Sequence, residues 1–577
     1  MSWRSSGYSL PRDTFIGQDM AMWSGTAHAH GQVIAGGHRR LAIMAGLFGL
    51  AFAALSGRLV DVALLDAPDS GLRQIGTAQD KIRRPNLTDR YGRLLATDLV
   101  TVSLYANATQ VPDIDVVASR LTATLPILEE NDVRVRLETQ RPFIWLARKL
   151  TPAQHYKTHN LGIPGLGFVK EIKRVYPSGP VASHVLGYVD VDNKGIAGIE
   201  KYIDTRDDMN SGSSVALTLD LAVQHVVRDE LKKAMEEFRS SGAMGLLMDV
   251  HNGEIIAMVS LPDFDPNNPN KFSDGARFNR ATLGVYEMGS TFKAFTTAIA
   301  LEAGTAKLTD KYDATEPIYV SGYAIRDFHP EKRWLTVPEV FIHSSNIGTA
   351  RMIMDVGSNN HQTFLKRLGL LNPLHVELPE VGAPLIPKRW RTINSVTISY
   401  GYGMAVSPLQ LMSSMAVLVN GGFRVQPTFV RERDQPQELA GEWVRIVSRH
   451  TSEALQSLMK MVVEQGTGRQ AATLGYSVIG KTGTAEKVVN GRYEERQLLT
   501  SFFSAFPAEA PRYGMLILLD DPHGNESTYG FATAGWTAAP VTGRIVARIA
   551  PLLGLRPKDQ QAPSGLEAIA VSYARSR

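Results

Sequence analysis

Tyr286-Glu287-Met288-Gly289-Ser290-Thr291-Phe292-Lys293 runs into Ala294-Phe295-Thr296-Thr297-Ala298-Ile299-Ala300-Leu301, an apolar stretch that predicts a buried helix. On a helix Ser290 and Lys293 share a face one turn apart. A serine hydroxyl attacks an acyl carbon only when a base takes its proton. Lys293 meets that need if burial and a second cation lower its pKa. Gly289 allows a tight approach into the helix. A lone Ser-x-x-Lys is usually a solvated helix face, so the reading depends on partners further along the chain.

Two partners follow in order, Ser344-Ser345-Asn346 and Lys481-Thr482-Gly483-Thr484. Alone, the first reads as a helix cap or turn and the second as surface loop. Together with Ser290 and Lys293 they closely resemble the ordered motif set of penicillin-binding proteins and serine β-lactamases.

Around this centre the pattern predicts one antiparallel sheet. Val223, Val227, Leu231, Ala234 and Phe238 recur at helical spacing with charges between them. Strands are expected at Ala243 to Asp249 and Glu254 to Ser260, separated by His251-Asn252-Gly253. Two more are expected at Ser501 to Phe506 and Tyr513 to Leu519, then a closing helix presenting Ile545, Ile549 and Leu552. The stretch between is expected to be a mainly helical insert.

Upstream, residues 1–40 are polar and end in Arg39-Arg40, which reads as a cytoplasmic tail. Residues 41–57 are almost wholly apolar or glycine and read as an uncleaved single-pass signal anchor, although Ala51-Phe52-Ala53 also fits a signal-peptidase site, and Leu59 to Leu65 extends the helix as a stalk to about residue 65. The paired arginines place everything after Arg58 outside the cytoplasm. Residues 81–208 mix strand and helix patterns and read as a separate non-catalytic unit, with Arg84-Pro85 and Tyr91-Gly92 marking a break and a turn. Asn210 to Ser214 reads as a linker, 220–555 as the catalytic domain and 556–577 as a loose tail.

At 577 residues the chain is too long for one core, and its formal charge of +4 is small and dispersed, so no nucleic-acid partner is expected. There is no cysteine, which removes thiolate chemistry, and the histidines lack metal spacing. Neither a metal nor a cofactor is expected.

With the motifs placed, the chain resembles the class B penicillin-binding proteins, and among them the division-specific FtsI (penicillin-binding protein 3) type. The resemblance extends to Asp89-Arg90-Tyr91-Gly92, Arg174-Val175-Tyr176-Pro177, Gly198-Ile199-Glu200 and Gly466-Thr467-Gly468. Met288 stands where many relatives carry proline before Gly-Ser.

The resemblance implies an α+β fold: a transpeptidase domain of the penicillin-binding and serine β-lactamase type, antiparallel sheet with helical subdomain, behind a transmembrane helix and a mixed α/β pedestal. It also implies a D,D-transpeptidase of the bacterial inner membrane with its catalytic domain in the periplasm. Ser290 would attack the D-alanyl carbonyl of a stem peptide, Lys293 would take its proton, and Ser344 would relay a proton to the leaving nitrogen. Asn346 would hold Lys293 and the substrate amide. Lys481 would depress the pKa of Lys293, Thr482 and Thr484 would bind the terminal carboxylate, and Gly483 would leave room for the substrate backbone. The amides of Ser290 and Thr484 would form the oxyanion hole. The partners implied are donor and acceptor stem peptides, β-lactams, the membrane, a glycosyltransferase and other divisome proteins.

Three rivals use the same residues. Gly475-Tyr476-Ser477-Val478-Ile479-Gly480-Lys481-Thr482 fits the P-loop pattern, but a phosphate loop must open a helix at Lys481, whereas Gly483 and Asn490-Gly491 argue for a hairpin and Tyr476 to Ile479 is strand-like. A β-lactamase shares the motifs but needs neither anchor nor pedestal. A scaffold or antibiotic sensor would keep the fold without the reaction.

Overall fold

The computed structural model describes residues 43–58, 84–206, 214–431, 444–489 and 491–558. The expected tail at 1–40, the stalk at 59–65, most of the linker and all but the first residues of the C-terminal tail lie outside them. The chain divides into one unit at Met1–Gln79 and another at Asp80–Arg577. In the first, residues 43–58 form a helix with exposed apolar side chains such as Phe48 and Phe52. At 1.5 Å per residue it is about 24 Å long. Among the described residues no helix is long and apolar enough to cross a membrane.

The second unit begins with a sheet whose long strand Leu94–Ala106 pairs antiparallel with both Ile144–Leu150 and Leu166–Val175. Helices Ile114–Thr124 and Glu130–Glu138 cover it through Val117, Leu121, Val133 and Leu137, which are buried with Leu104 and Leu146. Val215–Ala216, beyond the linker, runs parallel to Leu87–Thr88, so the chain returns to this sheet before leaving it. The turn at Asp89 is built by its carboxylate, which accepts from the amides of Tyr91 (2.9 Å) and Arg93 (2.8 Å). Beneath it Arg174 donates to Glu200 (2.7 Å), Asp98 (3.1 Å) and the Pro85 carbonyl (2.9 Å), all deeply buried.

The catalytic domain opens with α1 (Leu221–Glu237), capped by Asp220 accepting from Ala222 N (2.9 Å). Its apolar stripe packs on a hairpin of β1 (Gly242–Asp249) and β2 (Ile255–Leu261). The insert that follows includes α2 (Phe292–Glu302), α3 (Val337–Ile342) and α4 (Asn346–Val356), with short hairpins such as Ile318–Val320 and Tyr323–Ile325 among its helices. Then come β3 (Ile479–Val489), β4 (Arg492–Phe506), β5 (Tyr513–Asp520) and α5 (Ala538–Ile549). The sheet is antiparallel throughout, in the order β3-β4-β5-β1-β2.

Two expectations shift. The edge strand starts at Ile479, not Tyr476, and holds Lys481 in mid-strand, so no helix opens there and the P-loop reading falls. The closing helix ends at Ile549, and Leu552 is 45 % exposed, because Pro551 cannot continue the backbone ladder.

Candidate active site

The turn that carries Ser290 is set backbone against backbone on the edge strand. Gly289 has φ +52°, and a Cβ built on it meets the Thr484 carbonyl oxygen at 2.3 Å; a Cβ on Gly483 meets the Met288 carbonyl at 2.6 Å. Only glycine fits at either place. The chain passes through a single 3₁₀ turn, Gly289–Thr291, before α2 begins. That turn leaves Ser290 half-buried at the cleft and sends Lys293 into the interior, 1 % exposed.

Opposite stands the turn between α3 and α4. Ser344 has φ +58°, an uncommon conformation for a residue with a Cβ. Lys293 Nζ donates to both the Ser344 carbonyl and its Oγ, the latter at 3.0 Å. Lys481 Nζ reaches the same Oγ at 3.2 Å, donates to the Thr482 carbonyl (3.2 Å) and lies 5.7 Å from the centre of the Phe341 ring.

Two fully buried amines therefore face one hydroxyl. Burial, and next the charge of Lys481, hold the Lys293 amine well below its ordinary pKa, while Asp327 acts in the opposite sense. Burial brings Lys481 down to about 7. Of the pair, only Lys293 is also pushed down by its neighbour's charge, which favours the neutral form that a proton acceptor needs.

The remaining motif residues bond within the protein. Asn346 Nδ2 donates to the Arg326 carbonyl (2.8 Å), while the bonds of Lys293 go to Ser344. The Thr482 hydroxyl shares a hydrogen bond with that of Thr467 (2.7 Å), and Thr484 Oγ1 accepts from Ala534 N (3.1 Å). Residues without a sequence signal also enter. Asp327 accepts from Ser345 Oγ (2.7 Å) and Ile347 N (2.9 Å), clamping the Ser344 turn to the N-terminus of α4, where Ser345 is the cap. Among the described residues no group of His, Asp and Glu side chains converges as a metal site.

Sequence comparison matches residues 243–543 to the penicillin binding protein transpeptidase domain and residues 80–213 to the penicillin-binding protein dimerisation domain. The chain is 39 % identical to the probable peptidoglycan D,D-transpeptidase FtsI of Caulobacter vibrioides, over 90 % of each chain. The chain belongs to the FtsI-type class B penicillin-binding proteins. Within that type it is also 29 % identical to the peptidoglycan D,D-transpeptidase FtsI of Escherichia coli K12, over 90 % of this chain and 92 % of the relative. The crystal structure of penicillin binding protein 3 from Mycobacterium tuberculosis, complexed with aztreonam, shares the penicillin-binding fold, with a TM-score of 0.65 at 22 % identity, covering 82 % of this chain and 97 % of that one.

Proposed function

We propose that this peptidoglycan D,D-transpeptidase works through Ser290. Its Oγ attacks the carbonyl between two terminal D-alanines of a stem peptide, Lys293 takes the proton, and the collapsing adduct releases D-alanine, protonated through Ser344. An amine of a neighbouring stem then attacks the acyl-enzyme, closing the cross-link and freeing Ser290. The observation that carries this reading is the convergence of Lys293 and Lys481 on Ser344 Oγ beside the nucleophile turn.

Lys481 supplies the positive field, and the hydroxyls of Thr482 and Thr484 receive the terminal carboxylate when they turn from Thr467 and Ala534. Asn346 offers its amide oxygen to the substrate from the place where Arg326 holds it. Gly483 keeps the strand bare, and the amides of Ser290 and Thr484 receive the oxyanion. β-Lactams acylate Ser290 in place of the donor stem.

The same reading makes residues 41–57 a single-pass inner-membrane anchor, with the catalytic domain in the periplasm, 81–208 its pedestal, and the septum, with a glycosyltransferase and divisome proteins, its place of work. A fluorescent penicillin tests the chemistry: the wild type is labelled and stays labelled, and Ser290→Ala is not. Rapid loss of the label would indicate a β-lactamase instead. Imaging the labelled protein tests the place, since signal spread along the side wall in dividing cells would contradict a septal role.

A further inference from the structure

Glu287 lies three residues ahead of Ser290 and belongs to none of the motifs. One of its oxygens does all its bonding: Oε1 accepts from Gly403 N (2.6 Å) and from the Tyr493 hydroxyl (3.1 Å). Oε2 is buried without a hydrogen-bond partner among the described residues. A bare buried carboxylate oxygen is costly, so what keeps Glu287 here is sought in the two bonds of its other oxygen.

The two donors come from separate elements, and each of those elements touches the nucleophile turn or its partner strand. Gly401 accepts from Gly289 N (3.2 Å), and it approaches so closely that a Cβ on it meets the Gly289 carbonyl oxygen at 1.9 Å. Tyr286 and Val406 exchange both backbone bonds (2.9 and 3.0 Å). Tyr493 sits on β4 opposite Val488 of β3, next to the irregularity in the ladder at Glu486 and Lys487. Its ring packs edge-on against Tyr402 at 5.4 Å, and the Tyr402 hydroxyl accepts from Glu486 N (3.3 Å). Glu287 thus adds a buried carboxylate bridge to the Tyr402 contacts between the Gly401 to Val406 segment and the β3–β4 hairpin.

We infer that Glu287 is a positioning residue, a latch that fixes the edge strand against the nucleophile turn and so sets the separation of the Ser290 and Thr484 amides. Donors that receive an oxyanion must be held within about 0.5 Å of their working position. A lapse of 1 Å costs on the order of 100-fold in rate. The latch acts on the transition state, where the oxyanion forms, and not on the first docking of ligand. The inference rests on Ser290 as the nucleophile.

The test is stopped-flow acylation by a chromogenic β-lactam, separating the rate constant of the covalent step from the dissociation constant of the preceding complex. For Glu287→Ala the covalent step slows by about 10- to 100-fold while the dissociation constant changes less than about twofold. Glu287→Gln keeps an acceptor oxygen for both donors and stays within about threefold of the wild type. Tyr493→Phe slows the covalent step by about threefold in the wild-type background and not at all in Glu287→Ala, the signature of a shared contact.

Wild-type speed in folded Glu287→Ala overturns the inference, as does a rise in the dissociation constant alone, or additive effects of Glu287→Ala and Tyr493→Phe. Equal slowing in Glu287→Gln and Glu287→Ala overturns it in favour of a charge effect. If Glu287→Ala does not fold, Tyr493→Phe decides, and wild-type speed there sinks the latch. Absence of labelling at Ser290 in the wild type defeats the proposed chemistry instead, and is seen in the first control.

Discussion

Lys293 binds Ser344 twice, through the carbonyl and the hydroxyl, so the left-handed backbone of Ser344 is what presents both oxygens to the amine. A residue with a Cβ in that conformation costs roughly 1–2 kcal/mol. Ser344→Gly should therefore melt higher than Ser344→Ala. Both lose the hydroxyl, and both should acylate about 10²- to 10⁴-fold more slowly than the wild type. Calorimetry beside penicillin acylation rates checks the two claims, and equal melting temperatures would remove the strain argument.

Lys481 is wholly buried and, among the described residues, reaches only hydroxyl and carbonyl oxygens and an aromatic face. Its ordinary value is 10.5 and the folded value about 7. The unfolded chain therefore holds more protons between those limits, and the folded state loses stability as the pH falls from 10.5 to 7, with no further loss below. Lys481→Met should slow acylation yet raise stability by about 1–4 kcal/mol at pH 7 or lower. The gain should shrink toward pH 10.5, as denaturant titrations at several pH values would show.

The proton acceptor has to be neutral, so acylation should rise with pH through the depressed pKa of Lys293 and then level off. Lys481→Gln takes away the neighbouring charge that helps to depress it. The acid limb of the rate profile should then move to higher pH. A limb that stays in place would mean that Lys293 is not the acceptor.

Asp327 ties the Ser344 turn to α4 through Ser345 and Ile347. Asp327→Ala leaves both donors short of a partner and should cost about 1–3 kcal/mol. Acylation should slow while the initial affinity for penicillin holds, because the turn carries chemistry more than docking. Steady-state labelling at several penicillin concentrations separates the two.

In the dimerisation domain, Glu200 is held by Arg174 and Arg84 with no exposure to solvent. Arg174→Ala leaves it half-neutralised in the interior and should cost about 3–5 kcal/mol. The first unfolding step, followed by limited proteolysis, should then appear in residues 84–206. Uniform cutting of both domains would argue that they unfold together.

The sequence made the sheet and its flanking helices legible because burial there follows local periods: Val223, Val227, Leu231, Ala234 and Phe238 are all buried. The contacts around the motifs were less legible. Asp327 lies 18 residues from Ser345 with no motif of its own, and the bond exists only once a hairpin brings the two together. Nothing in Ser344-Ser345-Asn346 announces a left-handed Ser344, nor that Arg326 takes the Asn346 amide. The helical period does not carry across Pro551, so Leu552 leaves the face that Ile545 and Ile549 share.

Lys481, buried among hydroxyl and carbonyl oxygens, also gives the folded protein a built-in gauge of occupancy. Any adduct that carries a carboxylate to Thr482 and Thr484 brings the missing counter-ion, so drug-loaded molecules should resist heat better than empty ones. A simple melting curve would then rank inhibitors by how well they supply that negative charge, without a chromophore or a peptide substrate.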